Sequence, residues 1–223
     1  MGHSSQHPDE ASDRRPIAAR RIGVFQRMAD ALAKRRITPN AISVVGMVCG
    51  VLAGVAFAAT AHVSALERLG WILGACLVGL RLLANMLDGM VAVEGGLGTA
   101  VGALFNEAPD RVSDAATLIG FGFGVGGEPW LGFLAAIAAV FVAYVRALAT
   151  SAGAPNDFCG PMAKQQRMAL VILAALWMAV APADLQLESR APTWALIVIL
   201  AGCVFTSFRR LRRAATFLHE RAR

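Results

Sequence analysis

Six apolar stretches separated by short polar breaks decide what this chain can become. They run from about Ala41 to Ala61, Leu69 to Val93, Val101 to Val125, Trp130 to Ser151, Met168 to Ala183 and Thr193 to Phe208. Several reach the roughly 20 residues that cover the hydrocarbon core of a bilayer; the third is weaker and the fifth is short. Hydrophobic residues make up 57% of the 223 positions and charged residues only 16%, against about 25% charged in soluble domains. An ordinary soluble domain, a coiled coil and a disordered chain are excluded on these grounds. The expected fold class is an all-α integral membrane protein, with six transmembrane helices in a domain over residues 38–208.

The flanks support the same architecture. Residues 1–20 are polar, without apolar periodicity, and read as a disordered tail. In residues 21–37, Ile22, Phe25, Met28, Ala29 and Leu32 recur at helical spacing among Arg21, Arg27, Lys34, Arg35 and Arg36. This pattern predicts an amphipathic helix lying in the membrane interface. Residues 209–223 read as a basic tail helix on anionic lipid. Lys34 to Arg36, Lys164 with Arg167, and Arg209, Arg210, Arg212 and Arg213 fall in alternate breaks, whereas Glu67, Glu128, Asp184 and Glu188 fall in the others. Positive charge marks the cytoplasmic side, so both termini are expected there. The net charge of +6 then points to lipid partners and not to nucleic acid. Cys49, Cys76, Cys159 and Cys203 are far apart, three of them inside apolar runs, and read as free thiols.

Ionisable groups inside apolar stretches are costly and suggest function. Arg81, Asn85 and Asp88 lie at i, i+4 and i+7, on one face of the second helix. Asn106, Asp110 and Asp114 lie at i, i+4 and i+8 on the third, flanked by Glu107 and Arg111. The Gly-rich run between them is expected to let the two helices lie antiparallel and close. Facing oxygens of this kind suit a hard cation, Mg2+, Mn2+ or Ca2+, with a diphosphate as its natural partner. The same residues would equally make a buried polar network, with Arg81 paired to Asp88.

The stretch from Asn85 through Asp88, Gly89, Ala92 and Val93 to Gly102, Asn106 and Asp110 resembles the CDP-alcohol phosphotransferase signature, D-x2-D-G-x2-A-R-x8-G-x3-D-x3-D, with every spacing kept. Thr38-Pro39-Asn40-Ala41-Ile42-Ser43 is similar to the family's T-P-N-x-I-T/S opening of the first span. The departures are Asn85 and Asn106 in place of the first and third Asp, and Val93 in place of Arg. They remove two negative charges and one positive charge. Asn keeps an oxygen able to bind Mg2+, and Arg81, one turn before Asn85, is the candidate replacement guanidinium.

The resemblance implies a membrane transferase of phospholipid biosynthesis. Such an enzyme moves a phosphatidyl group from a CDP-linked lipid, CDP-diacylglycerol in many bacterial members, to an alcohol or phosphorylated alcohol, and releases CMP. It implies Mg2+ or Mn2+ on Asn85, Asp88, Asn106 and Asp110, with Asp110 as general base. It further implies donor contacts at Asn40, Ser43, Gly89, Ala92 and Thr99, joined by Arg81, although a helix cap at Thr38 or Asn40 and close packing at Gly89 and Ala92 account for these residues too. Lys164, Arg167 and Arg146 are the cations available to an acceptor phosphate. The site is expected near the cytoplasmic face of a bacterial inner membrane, in a family whose members are commonly homodimers. The acceptor is left open. Because half of the signature carboxylates are amides, the alternative is an inactive relative that binds CDP-lipid or nucleotide. A cation carrier is a weaker reading, since no internal repeat is visible.

Overall fold

In the computed structural model of the chain, residues 23–96, 101–182, 185 and 189–221 are described, and all regular structure among them is helical. The helices are α1 (Gly23–Lys34), α2 (Pro39–Ala59), α3 (Glu67–Glu94), α4 (Gly102–Phe123), α5 (Pro129–Ser151), α6 (Lys164–Val180) and α7 (Ala191–Arg221), with a single 3-10 turn, Ser64–Leu66, before α3. The predicted tail 1–20 and Thr99 lie outside the described residues.

Four helices are long and apolar enough to cross a membrane: α2, α3 with its preceding turn, α5 and α7. The other two expected spans fall short for local reasons. α4 carries Asn106, Glu107, Asp110, Arg111 and Asp114 along its length, and α6 has only 17 residues and opens Lys-Gln-Gln-Arg. Large apolar side chains nevertheless stand exposed on both, at Val112, Phe123, Leu173 and Leu176, as they do on α2, α3, α5 and α7. Such extensive apolar exposure is the mark of a lipid-facing surface.

α1 is helical as its periodicity predicts, although Met28 of the expected apolar face is exposed. It buries Ala29, with Phe25, Leu32 and Ala33 beside it, on Met86, Leu87, Met90 and Val91 of α3, and leaves Val24 and Met28 exposed. Thr38 then caps α2, its Oγ1 accepting from the Ala41 N–H at 3.3 Å, with Pro39 in the first helical position, where its missing N–H costs nothing.

The expected direct packing of the second and third spans is corrected by the structure. α2 packs closely on both α3 and α4, while α3 and α4 are not among the closely packed helix pairs of the described residues. The cause is a stripe of small residues on α2. A side chain at Gly46 would crowd Ala84 of α3, one at Gly50 would strike Ser113 of α4, and one at Gly54 would enter the Ala116 carbonyl. Glycine at four-residue spacing lets helix backbones approach in a way larger residues forbid. α2 therefore sits as a thin wedge, and α3 and α4 meet across it only through long side chains. Away from those side chains the core is apolar, centred on Phe57, Trp71, Phe121, Leu118, Met168, Met178, Leu196 and Ile199.

Candidate active site

The side chains that reach across the wedge are the signature residues. Asn85 of α3 donates its Nδ2–H to Asp110 Oδ1 of α4 at 2.9 Å. Lys164, the first residue of α6, extends its ammonium between the same two residues and donates to Asn85 Oδ1 and Asp110 Oδ2. One turn below, Arg81 Nε donates to Ser113 Oγ at 2.6 Å, and Arg81 Nη2 reaches Asp110 Oδ1 at 3.4 Å and pairs with Asp114. Arg167 Nη2 holds the other Asp114 oxygen at 2.8 Å. Asp114, Arg81 and Arg167 are each 1% exposed. A charge triad this deep is tolerable only because each carboxylate oxygen has a cationic donor.

Asp88 stands apart. It is 2% exposed, and its Oδ2 accepts from Ser43 Oγ of α2 at 2.6 Å. Its Oδ1 is buried and has no hydrogen-bond partner among the described residues. The charges of Lys164 and Asp110 act on it. A buried carboxylate oxygen without a donor forfeits its hydration, and a hard cation is the kind of partner that would restore what it lost. Among the described residues no group of three or more His, Cys, Asp or Glu side chains converges. The oxygens free to take an ion therefore centre on Asp88, because both Asp110 oxygens and the Asn85 oxygen already have donors.

The remaining expected site residues are spread along the same end of the bundle. Asn106 is exposed, one turn before Asp110 on α4. Asn40, Gly89 and Ala92 are half-buried, the last two on α3 just beyond Asp88. Val93, where the signature has Arg, is exposed. Arg81 is not paired with Asp88; it is sunk among Asp110, Ser113 and Asp114. Arg167 likewise departs from the acceptor-binding expectation, since Asp114 and the Met162 carbonyl, at 2.9 Å, engage it. Arg146 pairs with Glu107 and lies 5.1 Å from the centre of the Phe158 ring. Glu107 also takes Arg111 at 2.6 Å. This cluster at the rim joins α4 to α5; the sequence reads Glu107 and Arg111 as flanking charge and Arg146 as a cation for an acceptor phosphate.

The position of Lys164 is set from behind. Residues 152–163 are tied to α7, where Met162 N–H donates to Thr206 Oγ1 at 3.2 Å and Arg210 donates to the Cys159 and Val142 carbonyls at 2.9 and 3.1 Å. Within this loop the Asp157 carboxyl accepts from the Cys159 N–H at 2.8 Å and from its thiol at 3.0 Å, with Arg213 at 3.3 Å. Burial raises the Asp157 pKa, but the bonds from Cys159 and the nearby arginines outweigh it and bring the group below the ordinary carboxylate value. Burial and the neighbouring carboxylate push the Cys159 thiol above its ordinary value, which makes it a poor nucleophile. All four cysteines are free, but only Cys203 is buried; Cys49 and Cys159 are half-buried and Cys76 is exposed.

Comparison with known proteins bears on the family and the fold. The family model for CDP-alcohol phosphatidyltransferase matches residues 36–211. The chain is 29% identical over 156 residues to phosphatidylinositol phosphate synthase of Mycobacteroides abscessus, covering 67% of each chain. It is 28% identical over 157 residues to archaetidylinositol phosphate synthase of Pyrococcus horikoshii, covering 70% of this chain and 78% of that one. Among solved structures, phosphatidylinositol phosphate synthase of Mycobacterium tuberculosis with manganese and citrate superposes with a TM-score of 0.70 at 22% identity, over 86% of this chain and 89% of that one. The same enzyme with CDP-DAG bound gives 0.68 at 22% identity, over 86% and 94%. At that identity the superposition establishes the fold.

Proposed function

The chain belongs to the CDP-alcohol phosphatidyltransferase family of enzymes, and from that premise we propose that it transfers a phosphatidyl group from CDP-diacylglycerol to a polar or phosphorylated alcohol, releasing CMP. The observation that carries this reading is Asp88, with one oxygen fixed by Ser43 and the other buried and open, beside Asn85 and Asp110 at the signature spacing. The relatives named as inositol phosphate lipid synthases make an inositol phosphate the first acceptor to try.

The open Asp88 oxygen would hold a divalent ion, Mg2+ or Mn2+, with Asn85, Asp110 and Asn106 at the other signature positions. Bound there, it would neutralise diphosphate oxygens and stabilise departing CMP. The chain's own groups do the rest. Ser43 orients Asp88. Asp110, steadied by Asn85 and Arg81, takes the proton of the acceptor hydroxyl as that oxygen bonds to the lipid phosphate; the bond to CMP breaks and CMP leaves with the electron pair. Asn40, Gly89 and Ala92 border the donor. Arg146, at the rim against the half-exposed Glu107, is the cation best able to turn to an acceptor phosphate. Arg167 and Arg81 act through Asp114 as positioning residues. α2 to α7 form the membrane domain, with α1 in the interface and both termini cytoplasmic, a reading supported by the basic run Arg209–Arg213 beyond the apolar half of α7.

A second reading has its own support. Asn85, Asn106 and the engaged Asp110 oxygens suit a protein that binds CDP-lipid without turning it over. Release of CMP from CDP-diacylglycerol by purified chain, with Mn2+ and a panel of acceptors, separates the two. Turnover supports the transferase. No turnover in the natural chain, with turnover gained on restoring Asp at positions 85 and 106, supports the binding protein.

A further inference from the structure

The Lys164 ammonium sits between two residues at signature positions. It is coordinated by Asn85 Oδ1 and Asp110 Oδ2, one oxygen from α3 and one from α4. We propose that Lys164 serves as a built-in cation at one half of the site, so that this enzyme works with a single divalent ion, carried on Asp88. The inference rests on the transferase reading and concerns only how its positive charge is supplied.

Three observations carry it. The first is the amide at position 85. Asn85 donates to Asp110 at 2.9 Å while accepting from Lys164, which closes a ring of three side chains. An Asp at that position has no donor, and it would set two carboxylates against each other at that distance. Asn85 thus adds a bond to Asp110 that an Asp could not make beside a lysine-filled seat, and its presence is not a loss.

The second is charge. Asp88, Asp110 and Asp114 are balanced by Arg81, Lys164 and Arg167, so the cluster is neutral without any ion. A diphosphate esterified at both ends carries one negative charge on each phosphate. One divalent ion balances it, whereas two would leave an excess of positive charge inside the bundle, where charge is poorly solvated. The third is the open oxygen, since Asp88 Oδ1 is the one buried carboxylate oxygen without a partner among the described residues. Asn106, whose carboxylate counterpart the signature would use for metal, is exposed and outside the ring.

The test is Mn2+ binding to the purified full-length chain in detergent with CDP-diacylglycerol, read by electron paramagnetic resonance. The natural chain should bind one Mn2+ with no spin-coupled pair. Lys164→Gln should tighten Mn2+ binding on the order of tenfold or more, the scale of removing one like charge from a few ångströms away. Asn85→Asp alone should still bind one ion, because Lys164 then pairs with the new carboxylate, and Asn85→Asp with Lys164→Gln should bind two. The single Asn85→Asp variant keeps the test open should Lys164→Gln fail to fold. Two ions in the natural chain would overturn the proposal and leave the transferase reading intact. So would unchanged Mn2+ affinity in Lys164→Gln with a raised KM for the acceptor, which would make Lys164 an acceptor ligand. No Mn2+ binding in any variant would overturn both the proposal and the metal dependence of the transferase.

Discussion

At one end of the bundle Phe57, Trp71 and Phe121 meet ring to ring, with centroids 5.2 to 5.7 Å apart, and the Gly120 backbone lies against Gly54. At the other end the same helices, α2, α3 and α4, joined by α6, bury Asp88, Asp110, Asp114, Arg81 and Arg167. The apolar end holds the helices by shape, and its aromatic pairs add about 0.5–1.5 kcal/mol each beyond burial. The charged end holds them by paired ions whose desolvation consumes most of what the pairing returns. A bundle that needed only stability would have no use for the second arrangement. The difference teaches that the apolar end is the anchor that lets the charged end exist.

Four substitutions or conditions probe that contrast. Asp110→Asn should lower CMP release by about 10²–10⁴-fold, the usual loss of a general base, while circular dichroism and donor binding stay near those of the natural chain; undiminished turnover would remove Asp110 from the base role. Asp114→Ala strands two buried guanidinium groups and should destabilise the fold by about 3–5 kcal/mol, seen in detergent unfolding. A change below 1 kcal/mol there would mean that the triad is not the buried network described. At the apolar end, Gly120→Val forces a side chain into the Gly54 backbone and should cost about 1–3 kcal/mol as overpacking does, with turnover per folded molecule unchanged.

The smallest effect belongs to the loop behind Lys164. The Asp157 carboxyl lies below its ordinary value in the folded chain. Its stabilising contribution is therefore present above the unfolded pKa and is lost as pH falls through the folded one. Amide hydrogen-exchange protection in residues 152–163 should weaken on going from about pH 5 to about pH 3, and Asp157→Asn should flatten that dependence.

Much of this was legible in the residues. Apolar stretches gave the helices, and the i, i+4, i+7 spacing put Arg81, Asn85 and Asp88 on one face. What could not be read was which helix separates α3 from α4. Gly46, Gly50 and Gly54 have a visible spacing, but inside a uniformly apolar run hydropathy does not say which face is packed. The pairing of Lys164 with residues 54 and 79 positions away leaves no periodic trace either. Positive-inside charge explained Lys164 equally well, and only the fold brings it between Asn85 and Asp110. Arg81 was misread for a related reason. Its face was right, but its depth in the bundle depends on the glycine wedge.

The central claim is that a divalent ion on Asp88 meets the donor's diphosphate. It is tested most directly by 31P magnetic resonance of CDP-diacylglycerol bound to the chain, with Mn2+ added. The diphosphate signals should broaden sharply in the natural chain and far less in Asp88→Ala at equal donor occupancy. Equal broadening in both, or none in the natural chain, would contradict it.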